Sequence, residues 1–224
     1  MQKEGKNEVL MLTRNRIYLY DGTTILTLDI PTTIVGDLDI KDRDGLINLI
    51  TTFIQNNKLL PAQIYFVLAE SICFFKDIQI ESSSDLVKTE EMVTEFTESI
   101  PFSSVLAKTY KSVNMWRVVG SNQDLIDTIF EAFADRGFGL SALVPAIIFV
   151  DLASVTELTI DKAQIILSKK ELAVENSMVG EQKVLDQQLT TTQTAVPKNK
   201  LLPYLIVAFS VLVIILIYLV VTRL

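Results

Sequence analysis

Four aspartates crowd one short stretch, Asp37-Leu-Asp39-Ile-Lys-Asp42-Arg-Asp44-Gly45. Carboxylates at alternate positions ahead of a glycine are the ligand chemistry of a calcium loop, which takes acidic ligands at its first, third and fifth positions, glycine at the sixth and glutamate at the twelfth. With Gly45 sixth, Asp42 and Asp44 fall third and fifth, but Ile40 falls first and Thr51 twelfth. The stretch is expected to be a solvated loop ending in a helix cap, and no metal site is assigned. The chain has no histidine, which removes Ser-His-Asp and Cys-His pairs, a histidine proton shuttle and every histidine-ligated metal site. Its one cysteine, Cys73 in Ser-Ile-Cys-Phe-Phe, allows no intramolecular disulfide and no CxxC, and is expected to be a small buried strand residue. The eight glycines form neither GxGxxG nor GxxxxGK[ST]. Only Asp, Glu, Lys or Tyr could serve as a tuned base, and no spacing brings two of them together. No catalytic, cofactor-binding or metal-ligating residue is assigned, and the chain is read as a non-enzyme.

Charge points instead to interaction. Net charge is −7 and the isoelectric point about 4.7, which argues against nucleic acid as a partner. Residues 29–98 hold 13 acidic and 5 basic side chains, a balance of −8. That excess is either a solvated face or a docking face for a basic segment, with repulsion from anionic lipid holding the domain upright. The docking candidates are Glu91, Glu95 and Glu98 on the wet side of a helix expected over 85–99, with Pro101 and Phe102 in the turn after it. The competing reading makes Phe96, Ile100 and Phe102 core.

The elements that position these residues begin with a strand meander. Val9–Thr13, Ile17–Tyr20 and Thr24–Ile30 are apolar runs separated by Arg14-Asn15-Arg16 and Asp21-Gly22, the second a strong hairpin signal. Asp44 is expected to cap a helix from Gly45 to about Leu59 that ends at Pro61. Ile64–Ala69 reads as a central strand buried on both faces, and Cys73–Ile80, which alternates, as a strand pairing at or near an edge. After the 85–99 helix come short strands at 107–113 and 115–120, then a helix opened by Ser121-x-x-Asp124 and stopped by Gly137. Two further helices are expected, Leu143–Leu152 and Ile160–Ser177. The fold class is α/β (α+β).

Gln187–Lys200 offers almost nothing to bury and reads as a flexible linker. Leu201–Val221 follows, 21 residues without a charged side chain, about the roughly 30 Å hydrocarbon thickness as a helix. Tyr204 and Tyr218 lie near its two interfaces, and Lys198 and Lys200 face Arg223 across it. The charged N-terminus leads into no long apolar region, so no signal peptide is expected. The reading is a tail anchor, marked by Leu201, Tyr204, Tyr218 and Val221, with the bulk of the protein on the cytoplasmic side of a lipid bilayer. The expected organisation is a domain over 8–178 with an inserted subdomain near 85–120, a linker over 179–200 and a transmembrane helix over 201–222.

The hairpin-led sheet followed by a helix and a buried strand resembles the first subdomain of the actin-like, or ribonuclease-H-like, fold. Glu95-Phe-Thr-Glu98-Ser-Ile100-Pro101-Phe102-Ser103-Ser104-Val105 is similar to the Glu…Ile-Pro-Phe segment of the PilM family of type IV pilus assembly. Arg117–Gly120, Asp124–Asp135 and Arg136-Gly137-Phe138 follow in the family's order. The cytoplasmic domain of GspL, from type II secretion, is a more distant resemblance that also continues into a membrane span. The resemblance covers roughly residues 8–150. It implies an actin-like half with an inserted αβ subdomain, and partners among pilus or secretion platform proteins: a PilN-like subunit, a platform protein or an assembly ATPase. In that family PilM binds a short N-terminal segment of PilN.

The chain also departs from the family. The first hairpin there carries an Asp-x-Gly-Ser/Thr-type phosphate loop for Mg-ATP, whereas the turn here is Thr13-Arg14-Asn15-Arg16. The second half, which would close on a nucleotide, has no room before the linker, so no cofactor is expected. The sequence therefore reads as a membrane-anchored, non-catalytic scaffold of a pilus or secretion platform. Two alternatives stay open: an actin-like ATPase completed by dimerisation, which Mg-ATP would stabilise against heat, and a tail-anchored adaptor unrelated to pili. Self-association is not decided.

Overall fold

The computed structural model describes residues 6–79, 86–112, 114–152 and 155–180. Strands β1 (Asn7–Leu12), β2 (Arg16–Tyr20) and β3 (Ile25–Asp29) form the antiparallel meander that the apolar runs predict. β6 (Gln63–Leu68) and β10 (Gly139–Pro145) extend it in parallel, giving the order β10–β6–β1–β2–β3. Successive side chains of a strand point to opposite faces, and here both faces are buried. Leu10, Leu12, Ile64 and Phe66 go into one core with helices α1 (Arg43–Asn56) and α3 (Gln123–Ala134). Val9, Met11, Tyr65 and Val67 go into a second core with α4 (Ile160–Ser168) and α5 (Lys170–Glu175). The mixed α/β class read from the sequence is thus a sheet covered on both faces, which is why β6 has the near-continuous apolar run of a central strand.

Between β6 and α3 the chain builds a second sheet. β7 (Phe74–Gln79), β9 (Met115–Asn122) and β8 (Val105–Lys111) pair antiparallel in that order, with α2 (Leu86–Ser99) alongside. β7 lies at the edge, as its alternation predicts. Β-strands β4 (Val35–Gly36) and β5 (Asp39–Ile40) form a small hairpin turned by Asp37 and Leu38 at φ 54° and 65°, the left-handed pair of a type I′ turn.

Four local expectations are corrected. The cap of α1 is Asp42, whose extended backbone lets Oδ1 accept from Gly45 N at 2.9 Å, and Asp44 sits in the first turn instead. The cap of α3 is Asn122, accepting from Leu125 N at 3.2 Å, while Ser121 Oγ donates to Ile72 O at 2.8 Å. Leu143–Leu152 is not a helix: Leu143–Pro145 finish β10, and two short 3-10 turns, Ala146–Ile148 and Val150–Leu152, follow. A strand buried on both faces is apolar at every position, so periodicity does not separate it from a buried helix. The helix expected over Ile160–Ser177 breaks at Lys169 into α4 and α5. Gly137 does end α3 at φ +86°.

Among the described residues, Glu8 is the buried one whose side chain keeps an oxygen without a partner. It is 1% exposed, Oε1 lies 3.2 Å from Lys6 Nζ, and Oε2 has no hydrogen-bond partner among the described residues. Burial raises its carboxyl above the usual range against the pull of Lys6, and the Asp21 charge adds to the rise. A carboxyl raised in the folded state loses stability as pH climbs through that raised value, and the penalty is absent below the unfolded value of about 4.3. Glu8→Gln is therefore expected to stabilise the protein by about 1 kcal/mol at pH 7, with the gain vanishing near pH 4. Thermal unfolding of both chains across that range measures it.

Candidate functional site

The residues singled out in the sequence separate into two environments. On α2, Glu91, Glu95 and Glu98 are exposed together on one face, beside Glu90. Val93 and Phe96 are half-buried on the opposite side, and Ile100 is buried with its Cδ1 over Gly120, where a Cβ would collide with it. Pro101 is exposed. Phe102 turns inward, edge-on to Phe74 at 5.7 Å and against the main core. The carboxylates and Pro101 are therefore surface, and Phe102 is a packing residue of the turn.

The acidic loop disperses its charges. Asp37 pairs with Arg14 at 3.1 Å, Asp39 accepts from Ile40 N at 3.1 Å, and Asp42 caps α1. Among the described residues no group of three or more metal-ligating side chains comes together. In the first hairpin, the Thr13 hydroxyl donates to Arg16 O at 3.0 Å, the same carbonyl that Thr13 N bonds at 2.9 Å. Cys73 is held back from the thiolate, its pKa pushed up to about 12 by burial, with a contribution from Glu70. A thiol so raised is a poor nucleophile at neutral pH.

The geometry with room for a ligand lies elsewhere, in an open groove of about 310 Å³ between the inserted sheet and the end of the main fold. Its floor is apolar: Met115 from β9, Ile147 and Ile148 from the turn after β10, and Leu172 from α5. Tyr110 of β8 and Asn176 beyond α5 form a wall, their contact fixed by a hydrogen bond from the tyrosine hydroxyl to Asn176 O at 3.2 Å. Burial raises the Tyr110 pKa, so the hydroxyl stays a donor.

The groove's charge is cationic at one place. Arg117 lies along it but is held by Asp77, its cross-strand neighbour, through Nε–Oδ1 at 2.6 Å and Nη2–Oδ2 at 2.5 Å. That fork lowers the Asp77 pKa and raises that of Arg117, and it leaves little net charge. Lys111 is exposed, its Nζ 3.9 Å from the centre of the Trp116 ring, a cation–π seat at the groove's rim.

β8 also offers backbone. Gln123 N bonds Ser104 O and Ser112 N bonds Met115 O, so in this register the even-numbered residues of β8 bond to β9. β8 ends its sheet, and the N–H and C=O groups of Ala107, Thr109 and Lys111 point away from it. An apolar floor, one rim cation and a strand edge suit an extended segment with apolar side chains and a carboxylate.

No protein-family model and no curated protein matches the chain. Among solved structures it is similar to the PilM–PilN type IV pilus biogenesis complex, at 12% identity and a TM-score of 0.45 over 65% of this chain and 49% of that one. It is also similar to the cytoplasmic domain of EpsL, an inner membrane component of the type II secretion system of Vibrio cholerae. There the identity is 10% and the TM-score 0.39, over 63% of this chain and 58% of that one. The chain thus spans about half the length of the structures it matches, and the likeness is a distant one of fold.

Leu201, Tyr204, Tyr218 and Val221, with residues 181–200 of the expected 179–200 linker, lie outside the described residues, while Val179, at the start of that range, is buried against the main core. Among the described residues no helix is long and apolar enough to cross a membrane.

Proposed function

We propose that this chain is a membrane-anchored, non-catalytic docking module, an actin-like half with an inserted αβ subdomain that serves a type IV pilus or type II secretion-like assembly platform. One observation carries the reading: an apolar floor, the edge of β8 and one exposed rim cation, Lys111, meet in a single groove. Asn176, on the groove wall, lies 25 positions before the apolar run opening at Leu201. The meander, helix and buried strand of the main sheet support the actin-like part, and the Glu…Ile-Pro-Phe resemblance supports the platform. The proposed occupant is an extended N-terminal segment of a bitopic, PilN-like subunit. Its apolar side chains meet Met115, Ile148 and Leu172, and a carboxylate meets Lys111. The exposed carboxylates of α2 offer a second contact, to a basic segment of a platform protein or assembly ATPase.

The anchor is tested by deletion. A chain ending at Lys200 is expected to fold and, where no partner holds it, to leave the membrane fraction, whereas the full chain stays there after salt and carbonate washes. If the shortened chain still bound protein-free lipid vesicles, the anchor would not be the 201–222 segment.

A further inference from the structure

The segment after α5, Asn176–Val179, is held from two directions. At the outer edge of β10, Met178 N donates to Leu143 O at 2.7 Å and Leu143 N donates to Ser177 Oγ at 3.1 Å. From the inserted sheet, Lys108 Nζ donates to Ser177 O at 2.7 Å, and Tyr110 reaches Asn176 O. Met178 and Val179 then enter the core at 8% and 9% exposure. Tyr110 and Asn176 serve twice, since both also form the groove wall. Lys108 does not line the groove. It is half-buried, and its charged donor makes the stronger kind of bond to a carbonyl.

We propose that Asn176–Val179 is a strap, seated by Lys108 and Tyr110, that couples occupancy of the groove to the length of the tether leading to the 201–221 segment. This deepens the docking reading and rests on it. With the strap seated, the tether starts at Gly180. With the strap lifted off β8 and β10, it starts at Asn176, four residues earlier, which adds roughly 14 Å of reach at full extension. A segment in the groove covers the Tyr110–Asn176 bond and holds the strap down, so the docked state has the short tether. By linkage, a seated strap also tightens docking.

Hydrogen exchange on the full-length protein in detergent micelles, without partner, reads the strap directly. Lys108→Met is expected to speed exchange of the Ser177–Val179 amides about tenfold or more, with β6 amides unchanged. Lys108→Arg, which restores a charged donor, is expected to return most of that protection, and Tyr110→Phe gives a smaller rise confined to the same amides. Unchanged exchange at 177–179 in Lys108→Met would overturn the strap, as would a rise shared equally by β6. Partner capture from crosslinked membranes is the second readout, expected to fall in Lys108→Met although Lys108 does not touch the groove. A loosened strap with undiminished capture would overturn the coupling. If the wild-type chain captured nothing while the exchange pattern held, the docking reading would fail and the strap would stand.

Discussion

Leu172→Asp is expected to reduce capture of the partner subunit at least about tenfold while the domain stays folded. Leu172 is 37% exposed in the free protein, so an aspartate there is still solvated when the groove is empty. Once a segment lies over the floor of Met115, Ile147 and Ile148, the carboxylate is desolvated among apolar groups, where a buried charge without a partner is costly. Val150→Asp is the control, because Val150 is 86% exposed and does not line the groove. Charge reversal of Glu91, Glu95 and Glu98 separates the two proposed contacts. It is expected to leave the groove's occupant bound, and loss of that occupant there instead would move its docking site to α2.

The second large effect is on the fold. Asn122→Ala is expected to lower stability by about 2–3 kcal/mol. Asn122 is 3% exposed and makes two bonds at once, accepting from Leu125 N at the start of α3 and donating from Nδ2 to Leu38 O at 2.9 Å. The second bond spans 84 positions and ties the type I′ hairpin of the main fold to the point where the inserted sheet returns. Asn122→Ser keeps a capping oxygen but is too short to reach Leu38, so about half the loss is expected. Thermal unfolding of the full chain in one detergent compares the three. Equal stabilities would remove Asn122 as the pin between the two sheets.

Much of the scaffold was legible because it rests on local patterning. The Asp21-Gly22 turn, the apolar run of β6, the alternation of β7 and the glycine stop at Gly137 each report their own backbone. What failed was equally local in cause. Asp42 and Asp44 are both plausible caps by type, and only backbone angles assign the role. Ala142–Pro145 at the end of β10 is apolar at every position because both faces are buried there, which erases the period that distinguishes strand from helix. The exposure of the α2 carboxylates was legible because a wet helix face is written in the sequence. The groove was not, because Tyr110 meets Asn176 and Lys108 meets Ser177 across 66 and 69 positions. Lys108 and Tyr110, two apart on one strand face, were the available sign that this face meets something polar, but nothing local said what.

The measurement that tests the central claim most directly is crosslinking in native membranes, followed by purification of this protein and identification of what comes with it, for the wild type and Leu172→Asp side by side. The account predicts a bitopic pilus or secretion platform subunit crosslinked through its N-terminal segment to the groove, and its loss from the Leu172→Asp sample. Recovery of the protein alone, or of the same subunit undiminished in Leu172→Asp, would contradict it.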